Sequence, residues 1–336
     1  MRVRVIGAGV AGLTCALELA ERGAAVEVLE RGAGPGRGCS WFAGGMLAPW
    51  CELESCGPLI ARLGEEGLPW WRAHFPDTAV NGTLVVAHAR DLPELQQFAR
   101  RSERYERLAA AGIAALEPDL AGRFSHALWF REEAHLDPRA AVAALAARLA
   151  ERGVPLTYGV EGGAAQPPPG RTVIDCTGLA ARSTLQDLRG VKGEMVLLRC
   201  ADVRLGRPVR VLHPRMPVYV VPRGAGLYMV GASMLESDAE RRVSARTLLE
   251  LLSAAYALHP GFGEAEVVEI GSGVRAAFPD NLPRLTRTAQ GLSVNGLYRH
   301  GFLIAPALAR RAADVLLKGG HFPEVMHEDS RQRRLA

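Results

Sequence analysis

The chain has 336 residues, 48% apolar and 23% charged, with a formal net charge of +4, which is material for a large core and about two domains. The charge is mild and the arginines are scattered, so nucleic-acid binding is not indicated, and no uncharged apolar run of about 18 residues offers a membrane span. Cys15, Cys39, Cys51, Cys56, Cys176 and Cys200 show no CxxC or zinc-ligand spacing, which predicts a reduced, cytoplasmic protein with no metal site.

The first strand is predicted from residue 2 or 3, leaving no room for a signal peptide ahead of it. It runs through Val3–Ile6 into Gly7, Gly9 and Gly12. A helix with apolar residues at Val10, Leu13, Leu17 and Ala20 follows, then a strand Val26–Glu30 ending in an acid. Gly7 suits a tight turn, Gly9 lets backbone approach a pyrophosphate, and Gly12 lets helix and strand pack closely. The helix N-terminus offers N–H groups to phosphates, and Glu30 stands where an acid accepts hydrogen bonds from a ribose. Strand, glycines, helix, strand and acid in register predict a dinucleotide site.

The glycine-rich segment 32–38 reads as loop, and helix is predicted from Leu59 to Phe75. A strand is expected at Gly82–Ala87, helix from Asp91 to Ala111 with Pro93 near its start, and a short strand at Ala127–Phe130. Asp137 caps a helix with Pro138 at its first position, an apolar stripe of Val142, Leu145 and Leu149, and Gly153 at its end. Strands Pro155–Val160 and Arg171–Asp175 flank a turn at Pro167–Pro169, and the second runs into Cys176-Thr177-Gly178. Short strands at Met195–Arg199, Val209–Leu212, Val218–Val221 and Leu227–Val230, joined by Pro/Gly turns, predict antiparallel sheet. A helix at Ala245–Leu258, strands around Val267 and at Leu292–Asn295, and a helix from about Pro306 to Lys318 complete the pattern. The basic tail Arg331-Gln332-Arg333-Arg334 is expected to be disordered. Strands alternating with helices at both ends and antiparallel strands between imply an α/β fold of two interleaved domains.

Three blocks together resemble a known family. They are the N-terminal fingerprint with Ala43-Gly44-Gly45-Met46-Leu47, the Lys192-Gly193-Glu194 turn with Tyr219-Val220-Val221-Pro222-Arg223 and Val230-Gly231-Ala232-Ser233-Met234, and Gly273-Val274-Arg275 with Tyr298 to Pro306. The chain is similar over nearly its whole length to the FAD-dependent D-amino-acid oxidase family, within it to the glycine-oxidase branch of thiamine biosynthesis. The resemblance implies a doubly wound, Rossmann-like FAD-binding domain (1–75, 132–192 and 266–336) interleaved with an antiparallel-sheet substrate domain (76–131 and 193–265). It places FAD, held non-covalently, against Gly7, Gly9, Val10, Ala11, Gly12, Glu30 and Arg31. Further contacts are Ser40, Ala43, Gly44, Gly45, Met46, Thr177 and Gly178. The last come from Arg299, His300, Gly301, Phe302, Leu303 and Ile304, with a helix N-terminus aimed at the flavin.

Arg275 matches the family's carboxylate-binding arginine, a role suited to its planar fork. Tyr219 matches a tyrosine that helps to hold the same carboxylate, Arg299 a further active-site arginine, and Met46 and Met234 pocket-lining methionines. The implied reaction passes hydride from the α-carbon of a small amino acid, glycine first, to flavin. Dioxygen then gives hydrogen peroxide, and the imine becomes glyoxylate and ammonia. No side-chain base is nominated. Thiazole synthase is the implied downstream partner, and a homo-oligomer is expected. Other substrates or acceptors stay open (a D-amino acid, sarcosine, a dehydrogenase carrier), as does a flavoprotein domain acting on tRNA. Two departures bear on the pocket: Ala276 follows Arg275 where the family has proline, and residues 213–217 form an insertion before Tyr219. No cysteine is expected near Arg275, where some relatives tether the flavin, and Cys51 and Cys56 read as buried thiols.

Overall fold

Val3 and Val5 alternate with Arg2, Arg4 and Ile6, which are exposed or half-buried, and both pack into one core with the first and last helices. The computed structural model describes residues 1–160, 170–213, 216–239 and 242–328. The expected turn at Pro167–Pro169 and the tail at 331–334 lie outside them.

Seven strands form the first sheet, in the order Met326–Glu328, Arg284–Thr288, Gly291–Asn295, Thr172–Asp175, Arg2–Ile6, Ala25–Glu30 and Leu156–Tyr158. All neighbours are parallel except the Arg284–Thr288/Gly291–Asn295 pair. The helices Val10–Glu21, Pro138–Glu151 and Gly301–Lys318 cover it with one continuous apolar core. Asp137 caps the middle one as predicted, accepting from Arg139 N and Ala140 N.

The second sheet has nine strands and is antiparallel apart from Val209–Leu212 beside Thr83–Ala87. Its spine is Arg189–Arg199, so Lys192-Gly193-Glu194, predicted as a turn, lies inside a strand. Glu266–Ala277 pairs with it antiparallel, crossing from one region of the fold to the other. That register puts Gly193 opposite Gly273, beside Arg275. Ala276 keeps the register opposite Gly190.

Three further elements differ from expectation. The helix predicted from Leu59 begins at Pro49 and runs to His74, with a kink at Gly57, whose φ is 74°. Its start is capped by a remote side chain: buried Glu133 accepts from Trp50 N at 2.9 Å and Cys51 N at 2.6 Å. The helix predicted over 91–111 is split into Leu92–Arg100, a strand Glu106–Ala109 and Ala110–Leu116, because residues 106–109 pair with His126–Phe130. The last helix starts at Gly301, ahead of Pro306. Proline leaves the Phe302 carbonyl without its helical donor, and Trp71 Nε1 supplies one at 2.7 Å. Losing that donor would strand a buried carbonyl at about 1–3 kcal/mol.

Candidate active site

The C-terminal ends of Arg2–Ile6, Ala25–Glu30 and Thr172–Asp175 face one cavity of about 1260 Å³, the crevice where open α/β sheets bind ligands. Gly7 has φ +102°, and a Cβ there would lie 2.6 Å from Cys176 O. A Cβ on Gly12 would lie 1.8 Å from Gly7 O, so Gly12 sets the helix-to-strand approach and does not line the cavity. The helix Val10–Glu21 begins at Gly9, which has no side chain to cap it, and carries no acid in its first turn. With no carboxylate in that turn, its positive end can face an anion. Glu30 shapes the adjacent loop, accepting from Ala8 N at 2.6 Å and Gly32 N at 2.7 Å. Ser40 Oγ accepts from Val10 N at 3.1 Å, and Asp175 accepts from the backbone and hydroxyl of Thr177.

The cavity continues past Arg31, Ala43, Gly44, Gly45, Met46 and Gly178 to the start of the last helix at Gly301–Leu303. That helix also has no side-chain cap and no first-turn acid. Ile304 is fully buried and its N–H already donates to His300 O, so it is not a cavity contact. The other expected cofactor residues line the cavity.

Between these helix ends stand the polar groups. Arg275 donates from Nη1 to Ser233 O at 3.1 Å, and its guanidinium lies so close over Gly193 that a Cβ there would sit 2.0 Å from Nη2. Ser233 is held in turn by Glu194, which is buried and paired with Lys192 at 2.9 Å. Among the described residues no carboxylate forms an ion pair with Arg275. Burial holds its pKa below the ordinary arginine range.

Tyr219 and Arg299 both turn to Glu52, a residue the sequence did not single out. Glu52 is only 6% exposed, accepts from the Tyr219 hydroxyl and pairs with Arg299 Nη2 at 2.7 Å. Burial opposes its charge, but Arg299 and Arg210 outweigh this and hold the carboxyl at about 2. His300 lies 3.8 Å from it, and burial lowers the imidazole to about 3, leaving it neutral. Arg210, 3% exposed, donates to Cys51 O at 2.9 Å and stacks on the Tyr219 ring. Met46 lines the inner wall, and Met234, half exposed, meets Arg299 Nη1 at 3.4 Å near the mouth. Pro217, from the insertion, also lines the cavity.

Sequence reasoning missed Glu52, Gly193 and Arg210. Gly193 was named only within a predicted turn, and nothing local to Glu52 or Arg210 marked either. A cysteine does approach Arg275 in space: Cys39 lies against Gly273 and lines the cavity. Cys51 and Cys56 are pushed up by burial, Cys56 to about 12, which makes both unreactive thiols.

Two helix N-termini without first-turn acids on one cavity, with a glycine-lined strand end between them, fit a dinucleotide. The fold and site are those of a dinucleotide-binding α/β oxidoreductase. A family model described as DAO, FAD dependent oxidoreductase, matches residues 2–315, and the chain belongs to that family, as an FAD-dependent oxidoreductase. It is 54% identical over 325 residues to the "Putative thiamine biosynthesis oxidoreductase ThiO" of Rhizobium etli, covering 96% of this chain and 99% of that one. It is 27% identical to the "Bifunctional protein ThiO/ThiG" of a Nostoc species, covering 96% of this chain and 54% of that protein. The crystal structure of glycine oxidase from Geobacillus kaustophilus matches with a TM-score of 0.80 at 26% identity, covering 96% of each chain.

Proposed function

We propose that this protein oxidises the amine of a small amino acid, glycine first, to an imine that yields glyoxylate and ammonia, with dioxygen as acceptor and hydrogen peroxide as product. The observation that carries the reading is Arg275: a cavity-lining guanidinium with no ion-pair partner among the described residues. Its two parallel donors suit a carboxylate. FAD, when bound, supplies the two-electron acceptor. The chain's own part is positioning and electrostatics. Arg275 holds the carboxylate, the backbone of Gly193 and Ser233 fixes the guanidinium, and Met46 and Met234 exclude water from the α-carbon. The amine reacts neutral, so no residue is assigned as base. The open N-terminus of the last helix favours negative charge on the cofactor's ring system.

On this reading segments 1–75, 132–192 and 266–336 carry FAD, and 76–131 with 193–265 wall the substrate. Sheet membership crosses that division, because 266–277 pairs with 189–199. The fusion of a ThiO region to ThiG in the Nostoc relative supports a thiazole synthase as the user of the imine. Peroxide release by the purified yellow protein over glycine, sarcosine and neutral D-amino acids tests the reading. Failure of all of them to bleach the flavin anaerobically would refute it.

A further inference from the structure

We propose that Glu52 sets the net charge of the substrate: by pairing with Arg299 it leaves Arg275 as the one uncompensated cation at the reaction end of the cavity, so the site accepts a monoanion and discriminates against a second acidic group. This rests on the amino-acid reading above and narrows it to amino acids with an uncharged side chain or N-substituent.

Two arginines line this end of the cavity, Arg275 and Arg299. A site with both guanidinium groups available would favour a dicarboxylate. Glu52 removes one of them. Its carboxylate meets Arg299 at 2.7 Å and also receives the Tyr219 hydroxyl. It cannot easily turn away, because its helix start is pinned by Glu133 through Trp50 N and Cys51 N. The remaining charges nearby are accounted for within the protein. Arg210 does not line the cavity and has Glu54 at 3.7 Å, and His300 is neutral. Cys39 and Tyr298 also face Arg275, and neither is a carboxylate. The balance of Arg275, Arg299 and Glu52 is therefore one positive charge. One carboxylate neutralises it, and a second would meet the Glu52 carboxylate in a poorly hydrated site, where like charges repel strongly.

The test uses FAD-loaded protein and unreactive anions, acetate against the dianions malonate and succinate, with affinities from isothermal titration calorimetry. In the wild type both dianions bind no more tightly than acetate. Glu52→Gln frees Arg299 and raises the dianion-to-acetate affinity ratio at least tenfold, whereas Glu52→Asp keeps the wild-type ratio. A structural role alone would weaken all three ligands together and leave the ratio unmoved. A wild type that binds a dianion tenfold more tightly than acetate overturns the inference, as does a smaller rise in Glu52→Gln. If that variant does not load FAD, Arg299→Gln probes the balance from the other side. It leaves Glu52 uncompensated beside Arg275 and weakens acetate at least tenfold, and a change below that overturns the inference. A wild type that binds no carboxylate at all defeats the amino-acid reading as well, whereas acetate binding with an unshifted ratio defeats the charge balance alone.

Discussion

Arg275→Ala separates the cost of the site from the cost of the fold. The half-buried guanidinium donates to the Ser233 carbonyl, and desolvation disfavours its charge. Removing it strands no buried carboxylate, so folding stability should stay level or rise, as for other functional groups that are poorly solvated by their own protein. The substrate loses much more. A charge-assisted hydrogen bond contributes about 1.5–3 kcal/mol, and an unpaired carboxylate drawn into the cavity costs about 2–5 kcal/mol. Taking roughly 3 kcal/mol, kcat/KM falls by about two orders of magnitude. Most of the loss appears in KM, because the carboxylate is held in the ground state too. Arg275→Lys recovers only part, since a point charge cannot make two parallel bonds. Steady-state peroxide release and thermal melting on FAD-loaded variants measure both sides. Near-normal kinetics for Arg275→Ala, or a large fall in Tm with kinetics to match, would refute the anchor.

Tyr219→Phe removes one hydroxyl that donates to Glu52, which keeps its pair with Arg299; kcat/KM should fall by about 0.5–1.5 kcal/mol, less than for Arg275→Ala. At Gly9 a Cβ would meet only Ser40 Oγ, at 3.4 Å, whereas at Gly12 it would meet Gly7 O at 1.8 Å. Gly9→Leu should therefore fold yet purify with little flavin, read from the ratio of visible to ultraviolet absorbance, while Gly12→Ala should also lower Tm. The Glu52 carboxyl moves from 4.5 unfolded to about 2 folded, so its contribution is complete above 4.5 and is lost as pH falls through 2. That is roughly 3 kcal/mol, and Glu52→Gln should flatten the fall of the urea midpoint between pH 5 and 3 relative to wild type. Acid precipitation should release all flavin into the supernatant. Flavin kept in the pellet, and freed by Cys39→Ser, would place a covalent link on the thiol beside Gly273.

Local physics made the nucleotide end legible. A turn that glycine adopts readily, a helix that follows it and an acid closing the next strand are properties of neighbours in sequence, so the strand–turn–helix–strand unit from Val3 to Glu30 could be read directly. Asp137 with Pro138 announced its helix for the same reason. Where an element depends on a remote group, the sequence carried no such signal. The helix at Pro49 is started by Glu133, the proline in the last helix is tolerated through Trp71, and residues 106–109 become a strand because residues 126–130 lie alongside. The reaction end divides in the same way. Arg275, Tyr219 and Arg299 stood out through resemblance, but the charge state of the pocket did not. Only folding brings Glu52 to Arg299, Gly193 under Arg275, and Cys39 against Gly273, because each pair is joined by packing and register and not by spacing along the chain.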